Sequence, residues 1–434
     1  MQRKRTQPRL VQSMMDIWTL PDLRRRILFT LGILVVFRFL AHVPLPGVDI
    51  KALQEFLGQN LLFGMLDLFS GGAMSGFSVV AAGIYPYITA SIVMQLLVPV
   101  IPRLQAISQE GEPGRERINR ITHLLTVPLA ALQGYGMLTI LRSQGVTIEP
   151  LGHLTMASIL ATMVAGTIFL VWLGELITER GIGNGISMII FGGIVAGLPG
   201  IVGRGIFDAQ AGNPEGLIAY VVLTLAMLVL IVIFVEAHRR IPVQYARSTI
   251  RSGRMYRQSG STYIPLRVNT AGMIPLIFAL AMMQLPATIS SFFMGPAENP
   301  NFWNTIYNVF QSNTVLYQGL YFALVIGFAF FYTMVIFEQM NLPQTLQQQS
   351  GFIPGVRPGK ITADYLNKVI KRITFGGALF LAIVAIMPFI AQLITNVPLL
   401  IQSTAMLIAV GVALDTMKQL EAQLTMRRYE GFLK

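Results

Sequence analysis

The sequence predicts an all-α polytopic membrane protein with ten transmembrane helices in two inverted five-helix halves. Three observations predict it. Of 434 residues, 53% are apolar and 12% charged, roughly half the charge of a soluble domain. Ten apolar runs are each long enough to cross about 30 Å of hydrocarbon. The basic residues between those runs sit almost entirely on one side. The first observation excludes a water-soluble globule and a disordered chain, and the absence of cysteine excludes a disulfide scaffold. A net charge of +12 would point to nucleic acid on a soluble protein; here its position along the chain is what matters.

The runs lie near 27–43, 76–101, 121–141, 153–174, 184–203, 216–236, 271–291, 315–337, 373–394 and 398–417. Lipid offers no partner to backbone N–H and C=O groups, and the runs lack the alternation of barrel strands, so they must be helices. The first run follows basic residues as a signal peptide does. It lacks a small-residue cleavage site and carries Arg38, so it reads as a retained span. Of 32 Lys and Arg, 28 fall on the side of the N-terminus and three (Lys51, Arg142, Arg204) on the other. This asymmetry places both termini in the cytoplasm. Ten spans divide at the short outer loop 204–215 into two sets of five, giving halves of about 1–210 and 211–434. An odd number of spans per half turns one half over relative to the other, the topology of inverted repeats. A bundle without internal symmetry is the alternative, since no repeat is visible in the residues.

Ion-coupled transporters and intramembrane enzymes need ionisable groups inside the bilayer. Arg38 is the one charge inside a full span; Asp67 lies in a broken segment, and Glu175, Glu236, Glu338 and Asp415 lie at span ends. The four histidines (His42, His123, His153, His238) also fall at span ends, where interfacial placement accounts for them. No His-Glu-x-x-His motif is present. The run GIGNG at 181–185 precedes a membrane helix instead of closing a strand–turn–helix unit, so it reads as a flexible helix start, not a phosphate loop. There is no catalytic constellation and no cofactor motif. A secondary transporter with a broken helix is the competing class, and the empty interior counts against it.

Residues 61–90 break the pattern of spans. The apolar stretch 61–69 is too short to cross, ends in Ser70-Gly71-Gly72, and is followed at once by a full span. It fits a half-helix folded back into a protein-lined cavity, or an amphipathic segment on the outer surface. Two large cytoplasmic loops follow at about 238–270 and 338–372. In the first, arms at Val243–Arg247 and Tyr263–Val268 predict a two-stranded hairpin around a basic tip. The second, NLPQTLQQQSGFIPGVRPGK, is rich in Gly and Pro and predicts a shaped loop, not a helix. Together they hold twelve basic residues, with Tyr245, Tyr256 and Tyr263 interleaved in the first. Projections of this size and charge point to docking of a bulky partner.

Five stretches now resemble one family in order and topology: LFSGGAMSGFSVVAAGIYPYITASIVMQLL (68–97), ERGIGNGISMIIFGGIVAGLP (179–199), RRIPVQYARS (239–248), NTAGMIPLIFA (269–279) and FIPGVRPGK (352–360). The chain resembles the SecY family, the channel-forming subunits of the bacterial protein translocase, over essentially its whole length. The resemblance implies a clamshell of two halves around an hourglass pore. It implies a plug over about 61–74, including Leu66, Asp67, Phe69, Ser70, Gly71 and Gly72. It implies a constriction ringed by Ile84, Ile88, Ile186, Ile190, Ile274, Ile277 and Ile408. Apolar side chains at a narrow point resist ion leak by dewetting and offer a passing chain no strong hydrogen bonds. The pairs at i, i+4 and i, i+3 share one helix face.

Pro86, Pro275 and Pro286 kink spans 2 and 7, which also carry Gln95 and Gln284. The resemblance implies a lateral gate along the seam of spans 2–3 and 7–8, and the two glutamines are expected there. It implies docking of the SecA motor and the ribosome on the basic loops, through Arg247, Arg251, Arg254, Tyr256, Arg257, Arg357 and Lys360. Further implied partners are the small subunits SecE and SecG, unfolded preprotein and its signal peptide, membrane lipid, and SecDF and YidC. The implied location is the bacterial cytoplasmic membrane, and no cofactor is implied.

Overall fold

The computed structural model describes residues 20–59, 67, 70–143, 145–146, 152–210, 214–251, 254–293, 301–310, 314–340, 342–395 and 403–430. The chain divides into two compact units. One comprises 1–207, 284–312 and 408–434; the other comprises 208–283 and 313–407. Each of the ten apolar runs contains a helix, although several runs extend beyond it into turns. Among the described residues, four helices are long and apolar enough to cross a membrane as they stand: Glu112–Arg142, His153–Arg180, the one that begins at Val315, and Lys360–Met387.

In the first unit, α1 (Pro21–Leu40) opens with Pro at its first position and Asp22 in its first turn, both suited to a helix N-terminus. Leu23, Thr30, Ile33 and Phe37 are buried at helical spacing, whereas Leu28, Leu31, Val35, Val36 and Phe39 are exposed. The second set forms an exposed apolar face. A short helix, α2 (Ile50–Gln59), follows. The second span, α3 (Tyr85–Val100), begins nine residues later than the apolar run suggested. Residues 71–84 are turns, with positive φ at Gly71, Gly72, Phe77 and Gly83. Glycine there supplies conformations that no helix contains, so hydropathy overstated the helix.

A bend of 98° at Ile101-Pro102 separates α3 from α4 (Pro102–Gln109). Three long helices complete this part: α5 (Glu112–Ser143), α6 (His153–Arg180) and α7 (Gly185–Gln210). One apolar core gathers Val48, Leu53 and Leu57 with Phe77, Leu138, Leu141, Ile159 and Met163. Another gathers Ile33 and Phe37 with Ala73, Val80, Ile84, Leu170, Leu173, Ile177 and Ile189. Backbone pairing secures 77–79 to 43–45: Leu45 N–H donates to the Phe77 carbonyl at 2.7 Å and Val79 N–H to the Val43 carbonyl at 3.0 Å. Behind this ladder α6 comes so close that a Cβ at Gly166 would overlap the Val79 carbonyl oxygen.

The GIGNG run is the start of α7, as its sequence indicates. Ile182 N–H donates to the Thr30 hydroxyl of α1 at 3.2 Å, and Asn184 Oδ1 accepts from Ser187 N–H at 3.1 Å. That acceptor satisfies one of the donors a helix N-terminus leaves open.

In the second unit, α8 (Pro214–Glu236) leads into β1 (His238–Arg251) and β2 (Arg254–Arg267). The expected hairpin is present but much longer than its predicted arms, pairing from His238↔Arg267 to Arg251↔Arg254. Polar and basic residues along both strands hid its length from any hydrophobic pattern. The spans α9 (Ile274–Phe292) and α11 (Val315–Met340) follow in the chain; the end of α9 and the short helix α10 (Phe302–Val309) between them belong to the first unit.

The second large loop departs from the prediction of a helix-free loop, because Leu342–Gln348 forms a helix, α12. Pro343 falls in its first turn, where proline is tolerated, and the Gln-rich remainder favours helix. Then β3 (Gly351–Phe352) pairs antiparallel with β1, Gln244↔Phe352 and Tyr245↔Gly351, giving a sheet of order β2-β1-β3. The helix α13 (Lys360–Thr395) packs along α11 and stacks Phe380 on Phe234 of α8 at 3.7 Å between ring centroids. The last helix, α14 (Ser403–Glu430), belongs to the first unit from Ile408 onward.

Candidate functional site: a glycine turn, an apolar wall and a basic sheet

The first element of the site is the turn that begins at Asp67 and Ser70. The Ser70 hydroxyl donates to the Asp67 carbonyl at 2.9 Å and accepts from Met74 N–H at 3.2 Å. Asp67 Oδ1 accepts from Ser75 N–H at 2.7 Å, and Gly72 N–H donates to the Asp67 carbonyl at 2.8 Å. Gly71 and Gly72 take φ of +72° and +79°. A Cβ on Gly71 would lie 2.8 Å from the Cα of Gly193 and 2.9 Å from Cζ of Phe37, so the turn nests between α1 and α7 only as glycine. The side chain of Arg38 donates to the Gly71 carbonyl. Leu66 and Phe69, also expected in the plug, lie outside the described residues.

Directly behind the turn stands an apolar wall. Ile84 is 3% exposed and is the residue before α3, not a member of it. With Ile88 and Ile186 it belongs to the cluster built on Phe37 and Ala73. Ile190 is buried one turn beyond Ile186. In the second unit, Ile274 and Ile277 begin α9, with Ile277 buried. Ile408 is buried on α14. Thus the structure brings Ile84, Ile88 and Ile186 together and places the other four on the helices expected to carry them.

A polar chain ties three helices of the same unit. The Tyr87 hydroxyl donates to Asn119 Oδ1 at 3.4 Å, Asn119 Nδ2 donates to Glu175 Oε1 at 3.0 Å, and His123 Nε2 lies 3.1 Å from that same oxygen. Sequence placed His123 and Glu175 at separate span ends and gave no sign that they meet. Gln95 Nε2 donates to Ser91 at 3.3 Å, while its Oε1 is buried without a hydrogen bond among the described residues. Gln284 lies on α9, and its side chain is outside the described set.

The third element is the three-stranded basic sheet. Ile241 and Val243 of β1 pack with Leu346 of α12, Ile353, and Leu366 and Val369 of α13. A Cβ on Gly351 would lie 2.9 Å from the Tyr245 ring, so β3 reaches β1 only through glycine. Arg240 lies over the Tyr263 ring, 4.9 Å from its centroid, a cation–π contact. Arg357 and Lys360 are exposed on the turns from β3 to α13, where Gly355 and Gly359 have φ of +82° and +103°. The Thr362 hydroxyl donates to the Arg357 carbonyl at 2.8 Å. Arg247, Arg251, Arg254, Tyr256 and Arg257 lie on the hairpin strands, with side chains outside the described set. Sequence reasoning missed β3, and so missed that the two loops share one sheet. Among the described residues no group of three or more His, Cys, Asp or Glu is placed to hold a metal ion.

Comparison with known proteins finds relatives along nearly the whole chain. A family model described as SecY matches residues 78–417. The chain is 43% identical to the protein translocase subunit SecY of Streptomyces coelicolor, over 95% of this chain and 98% of that one. It is 42% identical to the subunit of the same name from Halalkalibacterium halodurans, covering 98% and 100% of the two chains. Among solved structures, one described as the structure of a protein conducting channel superposes with a TM-score of 0.65 at 17% identity, covering 94% of this chain and 96% of the other. Sec61 in the canine ribosome–channel complex superposes with a TM-score of 0.63 at 18% identity, covering 94% and 96%. The structural matches carry the fold.

Proposed function

The chain belongs to the SecY family and is a protein-conducting channel; from that premise we propose that unfolded secretory polypeptides cross the bilayer through it and that hydrophobic segments leave it sideways into lipid. One observation carries this reading. Ile84, Ile88 and Ile186 form a single apolar body with Ala73, two residues beyond Gly71. Wall and turn therefore seal by exclusion of water, with no strongly binding group that a moving chain must leave. Ile190, Ile274, Ile277 and Ile408 complete the constriction, and residues of about 61–74 form the plug. The halves 1–210 and 211–434 hinge about it.

Energy comes from outside the chain, from ATP hydrolysis by SecA or from the translating ribosome. Sec61 and yeast Ssh1, which share this fold, were both solved with ribosomes. Both partners dock on the basic sheet and on the turn carrying Arg357 and Lys360. SecE and SecG are the small membrane subunits of the complex, with SecDF and YidC as further partners. The protein is a multi-pass component of the bacterial cytoplasmic membrane, with both termini in the cytoplasm.

The test is transport by proteoliposomes. Vesicles holding the purified complex take up an unfolded precursor when SecA and ATP are supplied, and a small SecE-like subunit co-purifies. Uptake of a small solute down an ion gradient instead, with no precursor movement, overturns the reading in favour of a secondary transporter.

Gln95 and Gln284 line the lateral gate. The partnerless Oε1 of Gln95 supports this, because a buried amide oxygen without a partner costs about 1–3 kcal/mol and gains by meeting water or a polar group as the seam opens. Cysteines at both positions, oxidised to a disulfide, block release of hydrophobic segments, and reduction restores it. Equal release in the oxidised and reduced states sinks the assignment.

A further inference from the structure

Arg38 is the one basic residue within an apolar run, and the proposed function gives it no role. An intramembrane cation is costly and needs a partner, and a guanidinium cannot escape by losing its proton. Arg38 lies in the last turn of α1 and donates to the Gly71 carbonyl. Its own carbonyl lies 2.8 Å from His42 Nδ1, so backbone contacts at that end of α1 fix where the side chain starts.

The surrounding geometry gives this bond a mechanical meaning. The bonds that Ser70, Ser75 and Gly72 make with Asp67 and with one another all fall within 67–75. They move with the turn and do not oppose its departure. Residues 77–79 are fixed by their ladder to 43–45. The turn therefore stands between a fixed base and the tip held by Arg38. Phe37 and Gly193 shape the nest around Gly71, but van der Waals contacts of that kind are individually weak. A charge-assisted hydrogen bond, here half-buried, is the stronger and more directional tie.

We propose that Arg38 is a positioning residue for the resting seal, a latch whose guanidinium holds the Gly71 carbonyl and keeps the glycine turn seated between α1 and α7. The inference rests on the plug reading above, and the experiment separates the two.

The chain has no cysteine, so Ser70→Cys introduces a single thiol at a position 4% exposed. The full complex carrying it is reconstituted without a precursor, and the rate of labelling by a membrane-impermeant maleimide is measured beside the ion conductance of the same vesicles. Arg38→Met removes a charge from an apolar helix and so does not hinder insertion. It is expected to speed labelling by about tenfold or more, the scale set by losing one hydrogen bond to a charged group. Arg38→Lys keeps a donor and stays within about threefold of the parent. Gly71→Ala leaves Arg38 intact but collides with Gly193 and Phe37, and it reports the rate for an unseated turn.

Labelling of Arg38→Met at the parent rate, while Gly71→Ala is fast, overturns the latch. So does an Arg38→Lys variant as fast as Arg38→Met. Faster labelling of Arg38→Met with no rise in conductance upholds the latch and removes the plug reading beneath it.

Discussion

Arg357→Glu is expected to abolish SecA-driven transport while leaving the protein assembled. Arg357 is exposed on a turn whose backbone is set by Gly355, Gly359 and the Thr362 hydroxyl, so exchanging its side chain leaves the apolar core around Ile353 and Leu366 untouched. What changes is the charge of the face offered to a partner, by two units beside Lys360. Reversing a charge in a docking interface replaces attraction with like-charge repulsion, and effects of 2–5 kcal/mol are ordinary there, a loss of about a hundredfold in rate at limiting SecA. Initial rates of precursor uptake, normalised to protein recovered in the membrane, check it. Parent rates from normally assembled protein would refute the docking role.

The second large effect concerns a single hydrogen atom. Gly166→Ala should destabilise the first unit by about 1–3 kcal/mol or more, the range for overpacking a rigid contact. The added methyl meets the Val79 carbonyl oxygen and approaches Val80 Cγ1 at 3.3 Å. Neither side yields easily: one is the middle of α6, the other a strand-like segment hydrogen-bonded to Val43. Gly376→Ala on α13 is the internal control, since its Cβ would meet nothing within 4 Å. There the gain in helix propensity is all that remains. Thermal unfolding in detergent is expected to shift downward for Gly166→Ala and to stay level or rise for Gly376→Ala. Matching midpoints would show that the close approach of α6 does not limit stability.

The sequence made the helices legible because membrane crossing demands long apolar runs, and each run contains a helix. It made the basic loops legible because charge cannot hide in lipid. Legibility failed where structure depends on shape. The turns at 71–84 look as apolar as the span that follows, and only positive φ at Phe77 and Gly83 separates them. The helix Leu342–Gln348 was masked by its neighbouring prolines and glycines. The third strand is two residues long, Gly351 and Phe352, too short for any periodicity. Gly166 and Gly193 are two among 40 glycines, and nothing local marks the ones against which another backbone lies. Arg38 was different: a lone charge in an apolar run was visible from the start, and only its partner, 33 positions away, required coordinates. Of the candidate site, then, the residue types were readable and the pairings were not.

The sheet order β2-β1-β3 also bears on the timing of biogenesis. The hairpin of β1 and β2 is local and closes as soon as Arg267 has been synthesised. Its third strand arrives only after α9, α10, α11 and α12 have been made. At roughly 5–20 residues per second, the hairpin waits several seconds with the β1 edge open at Gln244 and Tyr245. A half-made chain thus shows its basic hairpin early but lacks the β3 brace that anchors the Arg357 turn. The three-stranded sheet is therefore complete only once Phe352 has been made.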